Sequence, residues 1–239
     1  MTDDLNDFIA MRPSTGNRPL QGLTVLVVED SRFACEAMRL LCLRSGARIR
    51  RADCLRSARR HLATYRPAVI VVDLGLPDGS GLDLIADLVR ATPRVPVILA
   101  TSGSSELREA AIAAGADAFL DKPIESLAVF QEAILAALPP EARPFGLRAT
   151  PDEMITPDPL ALQDDLKEAA GILKEAEDAT RIDYAAQFLS GVALSAHDRP
   201  LADAARALAK DRAAGRKVSP DIARLAGLVQ DRLASGAPF

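Results

Sequence analysis

Five residues pose the chemical question in this chain: Glu29, Asp30, Asp73, Thr101 and Lys122. Each falls at or just beyond the end of a short apolar run. Leu23–Val28 precedes the acidic pair, Ala68–Val72 precedes Asp73, Val95–Leu99 precedes Ala100-Thr101, and Ala116–Leu120 precedes Asp121-Lys122-Pro123. Three carboxylates brought together repel one another unless a cation neutralises them, and an all-oxygen donor set with open positions suits Mg2+. Phosphoryl transfer needs an attacking oxygen in line with the leaving group and positive charge on the equatorial oxygens. Asp73 could attack, Mg2+ could hold one phosphoryl oxygen and the Lys122 ammonium another. The Thr101 hydroxyl and a loop amide would take the third.

These residues can meet only if the segments before them are adjacent strands. The apolar runs have strand length and β-branched character, and they alternate with stretches whose apolar residues recur every three to four positions. The expected strands are Leu23–Val28, Ala47–Ala52, Ala68–Asp73, Val95–Leu99 and Ala116–Leu120. Helices are expected after each, closed in two cases by Gly46 and Gly115. Five such units with uniformly apolar strands imply an α/β fold, a doubly wound five-stranded parallel sheet covered by helices on both faces and joined by right-handed crossovers. Ligands of such sheets bind outside the carboxyl ends of the strands, which is the rim where the five polar residues fall.

With those motifs in place, residues 20–138 resemble the receiver domains of two-component response regulators. An acidic pair ends the first strand, and Asp ends the third within Asp73-Leu-Gly-Leu-Pro-Asp-Gly-Ser-Gly81. Thr follows the fourth and Lys-Pro the fifth. The resemblance implies the flavodoxin-like strand order 2-1-3-4-5, with Asp73 as phosphoacceptor. It further implies that Asp30 binds Mg2+ directly, Glu29 binds it through water, and the carbonyl of Gly75 completes the protein ligands. Thr101 and Phe119 match the switch pair, whose hydroxyl moves toward the phosphoryl group while the aromatic ring turns inward. The implied donor is a sensor histidine kinase or a histidine phosphotransfer protein, and the domain would catalyse only its own phosphorylation and dephosphorylation.

The rest of the composition bounds the reading. At 239 residues, 49% hydrophobic and 26% charged, the chain suits a soluble globular protein with room for two cores. No run approaches the roughly 20 apolar residues of a membrane span, and the acidic start Met1-Thr-Asp-Asp-Leu is unlike a secretory signal. A cytoplasmic location without membrane contact is expected. Cys35, Cys42 and Cys54 lack metal-ligand spacing and read as reduced packing residues. His61 reads as a solvated helix residue, and Asp78 and Asp83 as residues that shape the loop and helix start.

The net charge of −4 arises wholly from residue 150 onward, where 15 Asp and Glu face 11 Lys and Arg. Nucleic-acid binders show the opposite imbalance, so a nucleic-acid partner is not expected. Residues 1–19 read as a flexible N-terminal tail and 139–159, with six prolines, as a semi-rigid linker. Residues 160–239 read as a smaller all-α helical bundle with helices at about 160–176, 180–196, 201–213 and 220–234.

Within that bundle, Ala185-Ala-Gln187-Phe-Leu-Ser-Gly191-Val and Leu201–Leu208 resemble the central helix pair of histidine-phosphotransfer domains, in which a phosphoaccepting His precedes a Gly by one turn. Here Gln187 stands where that His would be, and Gln cannot accept a phosphoryl group. Two readings remain open: a degenerate docking or dimerisation bundle presenting Gln187 and Gly191, or an unrelated helical output domain. His197, beside a helix end, reads as structural. The chain is therefore expected to be a response regulator that switches contacts with a downstream protein or a second copy of itself. A transcriptional regulator with a C-terminal DNA-binding output and a phosphorelay intermediate are the alternatives.

Overall fold

The computed structural model describes residues 18–143, 151–175 and 179–235. The expected N-terminal tail lies outside the described residues except for its last two. The first half alternates strand and helix: β1 (Thr24–Val28), α1 (Arg32–Ser45), β2 (Arg48–Ala52), α2 (Leu55–Thr64), β3 (Val69–Asp73), α3 (Gly81–Arg90), β4 (Val97–Ser102), α4 (Arg108–Ala114), β5 (Ala118–Asp121) and α5 (Leu127–Ala137). The strands are parallel, in the order β2-β1-β3-β4-β5. This is the five-stranded doubly wound sheet expected from the strand-helix alternation.

Side chains alternate across the sheet as strand geometry requires. Val25, Val27, Val71 and Leu99 pack under α1 and α5 with Met38, Leu41, Phe130 and Ile134. Leu26, Val28, Ile70 and Ile98 pack under α2, α3 and α4 with Leu84 and Ile85. Local signals fix the helix ends. The Ser31 hydroxyl caps α1 by accepting from the Ala34 amide, and Gly46 closes that helix at φ 82°. Asp78, expected to shape its own loop, caps α2 instead, accepting from the amides of Leu55 and Arg56 at 2.8 and 3.0 Å. β4 runs to Ser102, so Thr101 sits inside the strand rather than after it.

The second half consists of α6 (Pro159–Glu175), α7 (Ala179–Ser195), α8 (Arg199–Ala213) and α9 (Ser219–Ser235). Each helix packs on its sequence neighbours and α9 packs on α6, which closes a four-helix bundle. Its core is built from Leu166, Leu189, Leu208, Leu225, Val229 and many alanines, whose small side chains let the helices approach closely.

The Pro-rich stretch expected as a spacer is attached to the sheet-bearing half over its own second half. The Leu127 amide donates to the Glu153 carbonyl at 3.0 Å, the Ile155 amide donates to the Glu125 carbonyl at 2.8 Å, and Ile155 is buried in the core shared by α1 and α5. The physical reason is the Met154-Ile155 pair. It supplies the backbone donor and apolar side chain that the flanking prolines lack, so the segment pairs as a short antiparallel edge.

The two halves also touch. α6 and α7 pack against α1, and Phe33 of α1 is buried among the residues of the bundle core. The bundle thus covers the carboxyl-end rim of the sheet.

Candidate functional site

Strand ends deliver the site. β1 carries Glu29 and Asp30 just past its end, β3 ends on Asp73, β4 presents Thr101 one position before its end, and Lys122 follows β5. One oxygen from each of Glu29, Asp30 and Asp73 lies within 4.8 Å of the other two, which makes a group able to hold a metal ion. The Lys122 ammonium sits 2.7 Å from Glu29 Oε2 and donates to Asp73 Oδ2 at 3.1 Å. Glu29, Asp73, Thr101 and Lys122 are all buried.

Burial and crowding perturb these groups in a consistent way. Desolvation, reinforced by the Asp73 charge, pushes Glu29 well above the ordinary carboxylate range. The same two causes, in the same order, raise Asp30 to about 7. Burial would lower Lys122, but the carboxylates of Asp73 and Glu29 outweigh it and hold the ammonium protonated above its usual value. The cluster therefore carries surplus negative charge in a dry place, which a divalent cation would neutralise.

Thr101 Oγ is buried with no hydrogen-bond partner among the described residues. An orphaned hydroxyl of this kind is costly unless something else completes it, and an anion at Asp73 would do so. Phe119, the other expected switch residue, is already buried, with the Arg108 guanidinium 4.8 Å from its ring centroid. Gly75 lies in a two-residue hairpin strand paired with Gly79–Ser80, directly after Asp73.

The two residues expected as a docking surface on the bundle face this rim. A Cβ added at Gly75 would lie 2.3 Å from Gln187 Nε2 and would push the carboxamide aside, so the Gln187 side chain rests directly on the bare backbone there. The Cα of Gly191 approaches the β4–α4 loop, where a Cβ on Gly103 would meet it at 3.5 Å. A Cβ built on Gly191 would stand 3.5 Å from Lys122 Nζ. Gln187 and Gly191 thus bracket the Asp73 site from above.

Sequence reasoning passed over the residues that anchor this arrangement. The Tyr184 hydroxyl donates to Asp30 Oδ2 at 2.7 Å. Asp165 is fully buried, with Oδ2 accepting from Ser31 Oγ at 2.7 Å and from the Phe33 amide at 3.0 Å, and Oδ1 from the Arg32 amide at 2.8 Å. It caps α1 from the other half of the chain. His197 pairs with Glu125 at 2.9 Å across the same interface. One signal was available for Tyr184. It is the only tyrosine of the helical half, placed three and seven residues before Gln187 and Gly191, hence on their helix face. Nothing local marked Asp165, whose partners are over 130 residues away.

Comparison with known proteins agrees with the geometry. Residues 25–134 match the family model described as the response regulator receiver domain. The KDP operon transcriptional regulatory protein KdpE of Escherichia coli K12 is 41% identical over 100 residues, covering 41% of this chain and 44% of that protein. The probable transcriptional regulatory protein TcrX of Mycobacterium tuberculosis H37Rv is 36% identical over 118 residues, covering 48% and 50%. A crystal structure of a putative response regulator from Chloroflexus aurantiacus is 28% identical with a TM-score of 0.43, covering 48% of this chain and 98% of that one. The chain spans about half the length of the curated relatives it matches. Residues 25–134 of this chain are a response regulator receiver domain.

Proposed function

We propose that the whole chain is a two-component response regulator in which Asp73 takes a phosphoryl group from a phosphohistidine, carried by a sensor kinase or a phosphotransfer protein, and in which the helical half responds through protein contacts. The observation that carries this reading is the buried constellation of Asp73 ion-paired to Lys122 at 3.1 Å beside the unpartnered Thr101 hydroxyl. Asp73 supplies the attacking oxygen, Lys122 holds one phosphoryl oxygen and Thr101 donates to another. Asp30, Asp73, the Gly75 carbonyl and, through water, Glu29 would hold Mg2+, which when bound neutralises the charge that develops during transfer.

The helical half is read as a contact module rather than a DNA reader. KdpE and TcrX are named as transcriptional regulators, but this chain covers only 44% and 50% of them. In the bundle, Arg206, Arg212, Arg216 and Arg232 are each ion-paired to an aspartate, Asp203, Asp183, Asp211 and Asp198 respectively. Charges engaged in this way, in an acidic half, offer little to a phosphate backbone.

The direct test is incubation with acetyl phosphate and Mg2+ followed by intact mass. The chain should gain one phosphoryl group, and Asp73→Asn or chelation of the metal should prevent it. A modified Asp73→Asn protein would refute the assignment.

The perturbed Asp30 yields a pH dependence. Its folded value of about 7 lies above the ordinary 3.8, so ionising it costs the metal-free fold stability. That penalty is absent below the unfolded value and grows as pH rises toward and through about 7. A bound cation removes it. The rise in melting temperature caused by Mg2+ should therefore be larger at pH 8 than at pH 6, with protons released on binding. Equal rises at both pH values would count against Asp30 as a ligand.

A further inference from the structure

We propose that Gln187 positions the water that hydrolyses the aspartyl phosphate at Asp73, so that the helical half acts in cis as a phosphatase element for the receiver. The inference rests on the reading that Asp73 carries the phosphoryl group.

Helix α7 lies across the site with one stripe of residues. Tyr184 reaches Asp30, Gln187 presses on Gly75 and Gly191 passes by Lys122. A phosphoryl group on Asp73 projects beyond the end of β3, with the sheet behind it and α7 ahead. In-line displacement brings the attacking oxygen to the face opposite the leaving oxygen, and the proposal places that face toward α7, whose Gln187 and Gly191 line the pocket at Asp73. Gln187 and Gly191 line a cavity of about 20 Å³ together with Asp73, Asp30 and Lys122. That is room for about one water among polar partners.

Three further features distinguish this arrangement from a plug. The Gln187 carboxamide has no hydrogen-bond partner among the described residues, although it lines a pocket with three carboxyl groups and the Lys122 ammonium. Its outer side is exposed and borders a groove of about 920 Å³ between the β4–α4 loop and α7 and α8, so the side chain stands between that groove and the pocket at Asp73. A carboxamide can neither accept a phosphoryl group nor take up a proton at neutral pH. It can accept a hydrogen bond from a water through its oxygen and donate one to a phosphoryl oxygen through its nitrogen. A loose phosphoryl-transfer transition state asks for little more than such orientation.

The step balances. The water oxygen forms a bond to phosphorus, the bond between phosphorus and Asp73 Oδ breaks with its electron pair going to the carboxylate, and the products are free Asp73 and inorganic phosphate. The water proton leaves on the phosphate or to solvent. The position that would hold a nucleophile in a relay thus holds a group that turns transfer into hydrolysis.

The full chain is loaded with acetyl phosphate and Mg2+, freed of donor by rapid desalting, and followed by intact mass. Gln187→Ala should load at least as fully as wild type, because slower loss raises the steady level, and its phosphorylated form should decay at least about ten-fold more slowly, the scale of losing one oriented hydrogen-bonding group at a reacting centre. Small-angle scattering should show the bundle still docked in this variant, held by Tyr184, Asp165 and Phe33. Equal or faster decay in Gln187→Ala would overturn the inference, whereas failure of the wild type to load would instead refute the Asp73 assignment. Gln187→His tests the in-line placement independently. The phosphoryl group should move onto the introduced imidazole with formation of a P–N bond, read as phosphate stable in alkali and labile in acid. A variant that loads Asp73 and never shows phosphohistidine would place residue 187 off the line of attack and overturn the proposal.

Discussion

Lys122→Met should abolish measurable phosphorylation by acetyl phosphate and at the same time destabilise the metal-free protein by about 3–5 kcal/mol at pH 8, the usual cost of stripping one partner from a buried ion pair. The ammonium contacts Glu29 at 2.7 Å and Asp73 at 3.1 Å in a buried site. Methionine keeps the length and apolar stem of the side chain but leaves the carboxylates facing one another. The instability should depend on pH with a definite sign. Without the ammonium, Glu29 and Asp30 rise further above their unfolded values, so the penalty is absent at low pH and grows as pH rises. Denaturant unfolding at pH 5.5 and pH 8 checks this, with most of the loss expected at the higher pH and part of it recovered by Mg2+. A variant as stable as wild type at pH 8 without metal would mean that the ammonium is not what holds these charges together.

Asp165→Ala is expected to release the bundle from the receiver. The carboxylate is fully buried and satisfies Ser31 Oγ and the amides of Arg32 and Phe33. Losing a helix cap and stranding those donors costs about 2–4 kcal/mol, which shifts the docking equilibrium by about 30- to 1,000-fold. Contacts between domains of one chain are commonly modest enough for such a change to open them. Small-angle scattering should show an increased radius of gyration with unchanged helix content, and phosphotransfer from a protein donor should speed up because α7 no longer covers Asp73. An unchanged scattering profile would place the anchor elsewhere, on Tyr184 or on the Phe33 contact.

The receiver was legible because its determinants are local. Alternating apolar runs set the strands, serines and glycines set the helix ends, and each site residue is tied to the end of a strand, so sheet order alone brings Glu29, Asp30, Asp73, Thr101 and Lys122 together. The four helices were legible for the same reason, through apolar spacing and the breaks near Pro200 and Gly215. The attachment of Ile155 to the receiver was not visible in that way, because a Pro-rich stretch reads as a spacer until a buried pocket for one isoleucine is known.

The sequence by itself determined that Asp73 ends a strand on a rim shared with Glu29, Asp30, Thr101 and Lys122, and that Gln187 is no acceptor. Only the tertiary structure decided that the two belong to one site. The placement of α7 over Asp73 depends on pairs such as Asp165 with Ser31 and Tyr184 with Asp30, which lie over 130 residues apart and involve residues ordinary for any helix surface. No periodicity or spacing encodes such a contact. It arises from the shape and charge complementarity of two folded surfaces.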